Sequence, residues 1–163
     1  MLLDRRVGWL AASLAAGAGA AAGPAAAATD TDQLVVTATV ASGCALSGGS
    51  LNFGEYITGQ AQDLDAVGQI NYTNCIGNVS FELDGGQSAS IANRQMSSGA
   101  SRLRYQLYRN SSRTAVWGTG TDAQGLTLLI PQNGRVDVFG RVLRGQGVAA
   151  GAYSDVVTIT MTF

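Results

Sequence analysis

Three aspartates come nearest to a catalytic or metal-binding set in this sequence. Asp63 and Asp65 are two positions apart, and Asp122 could join them as a third carboxylate. Paired carboxylates can hydrolyse glycosidic bonds, and clustered carboxylates can hold a metal ion. No further ligand follows at a recognisable spacing, and nothing marks one of the three as a general acid. We therefore interpret them as solvated loop acids, with an undetected hydrolase as the alternative.

The composition argues against most other kinds of active site. The 163 residues include no His, and all ten basic residues are Arg, so Lys is absent as well. Histidine is the commonest general base near neutral pH, and Schiff-base chemistry requires lysine. We predict that the protein is not an enzyme and has no cofactor and no metal. Because no dense basic stripe is present, we also predict no nucleic-acid partner.

Cys44 and Cys75 are the only cysteines of the chain. In an oxidising compartment, such an even pair predicts one structural disulfide. The alternative is a redox pair, but the C-x-x-C spacing that lowers a thiol pKa is missing.

The first 28 residues have the pattern of a secretory signal peptide. Arg5 and Arg6 precede an apolar run over residues 7–22, and Ala26-Ala27-Ala28 offers small residues for cleavage. A membrane anchor is the alternative, but the run is short and is followed at once by a Gly-Pro break. We predict cleavage after Ala28 and no stable membrane insertion of the mature chain.

The mature chain alternates apolar and polar residues with the period of two that is typical of β-strands. Alternating segments lie at residues 79–83, 102–107, 136–138 and 156–163, and no long segment has helical periodicity. Turn or connection signals occur at Ser47-Gly48-Gly49, Asp84-Gly85-Gly86, Asn133-Gly134 and Gly145-Gln146-Gly147. Short alternating strands separated by such signals predict one antiparallel β-sandwich.

The two ends of the mature chain have complementary patterns. A strand-like N-terminal segment alternates its apolar residues and precedes the first cysteine, while the last strand ends on an aromatic residue of its apolar face. The N-terminal segment either forms the first strand of its own sandwich or inserts into a groove of another subunit. From the residues alone, the first interpretation is favoured, because a free apolar edge strand invites aggregation.

Short glycine- and aromatic-containing motifs follow one another along the whole mature chain. They are Ser42-Gly43-Cys44, Leu51-Asn52-Phe53-Gly54-Glu55-Tyr56, Tyr72-Thr73-Asn74-Cys75, Arg94-Gln95-Met96, residues 103–109, Val116-Trp117-Gly118, Val138-Phe139-Gly140-Arg141, Gln146-Gly147-Val148 and residues 151–163. Their order and the closing Gly-x-Tyr-x-Asp…Thr-x-x-Phe pattern are specific together. In these motifs the chain resembles the spore coat protein U domain family, which includes subunits of archaic chaperone–usher pili.

The resemblance implies an all-β fold: an incomplete immunoglobulin-like antiparallel β-sandwich that is completed by a donor strand from another chain. It divides the sequence into a signal peptide (1–28), an N-terminal donor-strand extension (29–41) and a pilin domain (42–163). The implied donor side chains are Leu34, Val36, Ala38 and Val40. The implied acceptor-groove edge and chaperone contact consists of Val157, Ile159, Met161 and Phe163. The disulfide between Cys44 and Cys75 matches the bridge of the family.

The resemblance also implies partners and a location. The partners are identical or related pilin subunits, a periplasmic chaperone and an outer-membrane usher. The implied protein is a structural pilus subunit, exported through the periplasm to the cell surface, that serves adhesion or biofilm formation. A spore-coat or surface-layer structural protein and a monomeric secreted carbohydrate-binding module are the alternatives.

Overall fold

The computed structural model describes residues 31–40 and 43–163, and the chain divides after Thr39 into two structural units. Residues 31–40 have no regular secondary structure, and their side chains are exposed. The predicted signal peptide lies outside the described residues. The proposed domain boundaries therefore stay predictions.

Six strands build the second unit: β1 (Ala45–Ser50), β2 (Leu64–Leu83), β3 (Gln95–Ser98), β4 (Ser101–Tyr108), β5 (Gln124–Val142) and β6 (Ile159–Thr162). Their order is β1-β2-β5-β4-β3, each neighbouring pair is antiparallel, and β6 also pairs with β2. β5 follows one edge of β2 along most of its length, so β1 and β6 occupy different stretches of the other edge. The predicted all-β, antiparallel, immunoglobulin-like fold is confirmed, and its sheet is curled.

Most of the predicted strands are present, but the two longest are longer than the sequence suggested. Alternation at residues 79–83 and 136–138 marked only parts of β2 and β5, which span 20 and 19 residues. Alternation at residues 102–107 corresponds to β4. The last predicted strand is shortened to the four residues of β6.

The prediction of a turn at Asn133-Gly134 is wrong, because both residues lie inside β5. The pairing of β5 with β2 is irregular between Tyr72 and Gly77, opposite this dipeptide. The side-chain oxygen of Asn133 accepts a hydrogen bond of 2.7 Å from the backbone N–H of Asn74, which has a positive φ of 50°. Asn133 and Gly134 therefore belong to a β-bulge. A bulge requires the same unusual backbone conformations as a turn.

The predicted connection at Ser47-Gly48-Gly49 is likewise wrong, because it lies within β1. The register between β1 and β2 shifts between Leu46 and Gly49, and Gly48 has a φ of +92°. Gly49 packs closely on β2, since a Cβ atom there would lie 2.9 Å from the carbonyl oxygen of Gln69. Both glycines thus permit a bulged strand rather than a loop.

The core lies within the curl of the sheet. Every second residue over the last five positions of β2 is buried, which gives Val79, Phe81 and Leu83, and these side chains belong to one cluster with Trp117. The indole N–H of Trp117 donates a hydrogen bond of 2.8 Å to the carbonyl of Phe81. This bond satisfies the polar atom of the largest buried side chain, as burial requires.

Candidate strand-accepting groove

An apolar groove of about 450 Å³ opens between the chain that follows β1 and the chain that leads into β6. Buried side chains of the sheet form its floor, and they are Ile70, Leu83, Tyr105, Leu107 and Val138. Leu51 and Phe53 form one wall, while Val157 and Ile159 line the other. A second cavity of about 580 Å³ shares Leu51, Phe53, Met96 and Tyr153 with the first. The two cavities therefore adjoin along the same opening.

Two glycines position the wall of Leu51 and Phe53. A Cβ atom at Gly68 of β2 would lie 2.3 Å from the carbonyl oxygen of Ser50 and 2.6 Å from the Cβ of Leu51. A Cβ atom at Gly140 of β5 would lie 2.7 Å from the ring of Phe53. The wall can therefore lie directly on the sheet only because both positions lack a side chain.

Two carboxylates fix the opposite wall. Asp84 Oδ1 accepts hydrogen bonds from the backbone N–H groups of Thr158 (2.8 Å) and Gly86 (2.9 Å). Burial by itself would raise the pKa of Asp84, but these hydrogen bonds and the nearby Arg94 outweigh it and lower the pKa. The charged form of Asp84 is thus the form that holds the start of the last strand.

Asp155 forms the second anchor of this wall. Its carboxylate accepts hydrogen bonds from the hydroxyl of Tyr105 (2.6 Å) and the backbone N–H of Gln87 (2.8 Å). Burial, followed by the hydrogen bond to Asp155, raises the pKa of Tyr105 far above its usual value. Tyr105 therefore stays a neutral donor to Asp155 at any physiological pH.

Arg94 supports both anchors from within the fold. Its fully buried guanidinium donates hydrogen bonds to the carbonyls of Leu83, Asp84 and Trp117 and to the side-chain oxygen of Gln106. Burial lowers the pKa of Arg94, while nearby Tyr105, Asp84 and Asp155 act in the opposite direction. The sequence shows this residue only as part of a motif and gives no sign of its burial. Its place at the start of the Arg94-Gln95-Met96 motif was the one available signal.

The four predicted acceptor residues lie at different places. Val157 and Ile159 line the groove, and both are half-buried. Met161 is also half-buried, and its Sδ atom lies 3.9 Å from Sγ of Cys44. Phe163 is 56% exposed and lines a separate shallow pocket that Thr162 and Val79 share. Two of the four are therefore brought to the groove.

The predicted donor side chains belong to residues 31–40. Leu34, Val36, Ala38 and Val40 are all exposed. Large aliphatic side chains are normally buried in a folded domain, so a continuous run of exposed ones is unusual.

The predicted disulfide is confirmed, because Cys44 and Cys75 are joined. The bond links the residue before β1 to the bulged middle of β2. The start of β1 is thus covalently tied to the middle of β2.

The aspartates that could have formed a catalytic or metal site are engaged in ion pairs and hydrogen bonds. Asp65 accepts two hydrogen bonds of 2.7 and 2.9 Å from the guanidinium of Arg141, which lower the pKa of Asp65. Asp63 accepts a hydrogen bond from the backbone N–H of Arg144, and Asp122 lies 3.6 Å from Arg109. Among residues 31–40 and 43–163, no group of three or more acids or cysteines could hold a metal ion. Within the same residues, no helix has the length and hydropathy to cross a membrane.

Comparisons with known proteins agree with this architecture. The family model described as Spore Coat Protein U domain matches residues 30–160. Protein U of Myxococcus xanthus is 36% identical over 176 aligned positions, which cover 94% of this chain and 96% of the relative. A solved complex of the chaperone CsuC with the tip adhesion subunit CsuE, from archaic chaperone–usher Csu pili of Acinetobacter baumannii, contains a similar chain. That match has a TM-score of 0.51 at 21% identity and covers 74% of this chain but only 39% of the other, so it indicates a shared fold.

Proposed function

Because the chain belongs to the Spore Coat Protein U domain family, we propose that it is a structural subunit of a surface pilus, assembled by chaperone–usher donor-strand exchange. One observation carries this proposal. The sandwich has an open apolar groove beside its last strand, while the same chain presents exposed aliphatic side chains at every second position of residues 34–40. A groove and a strand of matching chemistry are the two halves of strand addition.

The dimensions of the segment suit the groove. Residues 34–40 span about 20 Å in an extended strand, with inward side chains about 7 Å apart. Burial of Leu34, Val36, Ala38 and Val40 contributes at most about 5–12 kcal/mol before ordering costs. Ladder hydrogen bonds along the strand add about 0.5–1.5 kcal/mol each. A long strand that buries this much apolar surface should dissociate slowly, which suits a joint between subunits without a covalent link.

The chaperone and the usher, which bind only during assembly, act at the same groove. Before assembly, a periplasmic chaperone lends a strand that lies in the groove at Val157 and Ile159 and continues beyond it along Met161 and Phe163. An outer-membrane usher then exchanges that strand for the extension of the next subunit. The likeness to a subunit that was solved together with its chaperone supports this step. The protein is exported through the periplasm to the cell surface and functions there as structure, not as an enzyme, in adhesion or biofilm formation.

A spore-coat or surface-layer protein is the second candidate. The family description and the close match in length to Protein U favour it. Strand exchange would serve a coat as well as a fibre, so the location of the polymer distinguishes the two.

An unboiled denaturing gel tests the proposal. The mature chain is expressed with its periplasmic partners and compared with a version that lacks residues 29–40. We expect a ladder that collapses on boiling and that the deletion removes. A monomer in every lane, with the deletion merely unfolding the protein, would show that the segment is a strand of its own sandwich.

A further inference from the structure

Three exposed aliphatic side chains lie where the pairing of β2 with β5 is irregular. They are Ile76 in β2 and Leu129 and Ile130 in β5, with exposed fractions of 54%, 87% and 66%. The ladder pairs Cys75 with Gln132 and Gly77 with Leu128, so the three residues lie in the irregular stretch between these pairs. We call this group the corner ridge.

The strand stretches that carry the corner ridge, and the strand paired beside them, contain no charged residue. No Asp, Glu or Arg occurs in residues 66–81 of β2, in residues 124–134 of β5 or in β1, although the chain has 21 such residues in total. Exposed strand regions are usually protected from association by charged side chains. An uncharged surface with three protruding aliphatic groups therefore has the composition of a contact core.

The corner ridge lies close to the point where the N-terminal extension leaves the sandwich. Ile76 follows Cys75, which is bonded to Cys44, and Ile130 is two residues from the ladder partner of Cys75. Val40, the last of the proposed donor side chains, is four residue steps before Cys44. An extended chain of that length spans at most about 14 Å.

We propose that the corner ridge docks onto the neighbouring copy of this chain, the one whose groove holds the N-terminal extension. This inference rests on the proposed strand exchange. The short connection keeps the two subunits within about 14 Å of each other at this point, so the surface around Cys44 faces the neighbour. Burial of the corner ridge there would restrict rotation about the connection and stiffen the fibre.

A photo-crosslinking experiment tests this contact in assembled fibres. A benzophenone amino acid replaces Ile130 in one variant and Val67 in a control, because Val67 is a similarly exposed aliphatic residue in the first half of β2. After irradiation, the fibres are boiled, which separates subunits that strand exchange alone holds together. We expect boiling-resistant dimers from the Ile130 variant at a yield about tenfold above the Val67 variant, because crosslinking requires direct contact.

The outcomes separate this proposal from the proposed function. A boiling-sensitive ladder without crosslinked dimers at Ile130 would overturn the contact and leave strand exchange intact. Absence of any ladder would overturn both. If Ile130 is not crosslinked within fibres and Leu129→Ser/Ile130→Ser fibres lose binding to apolar beads, the ridge is an adhesive surface, and the contact is again overturned. Equal crosslinking at Ile130 and Val67 would mean unspecific bundling and would also contradict it.

Discussion

At the scale of single residues, Arg94 is the strongest structural constraint behind the groove. It is the one fully buried charged side chain among the described residues, and it donates to three backbone carbonyls in two separate segments, those of Leu83 and Asp84 and that of Trp117. Replacement by an apolar residue leaves these carbonyls without donors in the interior. Unsatisfied buried groups cost about 1–3 kcal/mol each.

We therefore predict that Arg94→Met lowers the free energy of unfolding by at least about 3 kcal/mol. Urea unfolding, followed by the fluorescence of Trp117, measures this change. Arg102→Met is the matched control, because Arg102 is exposed and bonds only to the nearby carbonyls of Gly99 and Ser101. Its effect should stay within about 0.5 kcal/mol. Equal effects of both substitutions would contradict the anchoring role of Arg94.

The lowered pKa of Asp84 predicts how acid changes the stability of the folded protein. Its pKa is lowered in the folded protein, so its stabilisation is present above the unfolded value of about 4 and is lost as the pH falls through the folded value. Asp84→Asn removes this titration while keeping an oxygen that can accept from Thr158. We predict that the drop in the urea midpoint between pH 7 and pH 3 becomes smaller in the variant. An unchanged drop would show that other carboxylates cause the acid sensitivity.

At the scale of elements, the walls of the groove depend on two positions without side chains. Gly68→Ala would place a methyl group against Ser50 and Leu51 and push that wall away from β2. Overpacking of this kind costs about 1–3 kcal/mol.

Gly125→Ala is the control, because nothing lies within 4 Å of a Cβ atom there. We predict that Gly68→Ala weakens binding of a synthetic peptide of residues 31–40 to the subunit that lacks this segment, as measured by calorimetry, while Gly125→Ala does not. Similar affinities for both would mean that this wall does not shape the binding site.

The strands of the core could be predicted from sequence, but their lengths and bulges could not. Alternation marked Val79, Phe81 and Leu83 because the residues of one face share the core. Asn133-Gly134 and Gly48-Gly49 suggested chain reversals, since a bulge and a turn demand the same permissive backbone. Only the partner strand decides between the two, and the partner is distant in sequence.

The candidate site was predictable to a similar degree. Val157 and Ile159 could be assigned to a groove wall because the alternation of the last strand gave their face. Phe163 lies elsewhere because β6 ends at Thr162, before the predicted strand does. The burial of Arg94 was not predictable, since it depends on carbonyls of Leu83 and Trp117 that folding brings together from separate segments.

At the scale of the whole molecule, the apolar groove and the exposed aliphatic segment are complementary, because the groove lacks a strand and the segment lacks a partner that covers it. A domain that leaves a groove beside its last strand gains stability when another strand fills it. The exposed segment in turn is an aggregation hazard unless a partner covers it. The proposed head-to-tail completion, in which each copy fills the groove of the next, would remove both problems and produce a polymer.

The most direct test of this account places a charge on one face or the other of the N-terminal segment. Val36→Asp puts a carboxylate on the side that should enter the neighbour's groove, whereas Val35→Asp puts it on the opposite side of the same strand. On an unboiled denaturing gel, we predict that Val36→Asp abolishes the ladder and that Val35→Asp retains it. Loss of the ladder in both variants, or in neither, would contradict insertion of Leu34, Val36, Ala38 and Val40 into a neighbouring subunit.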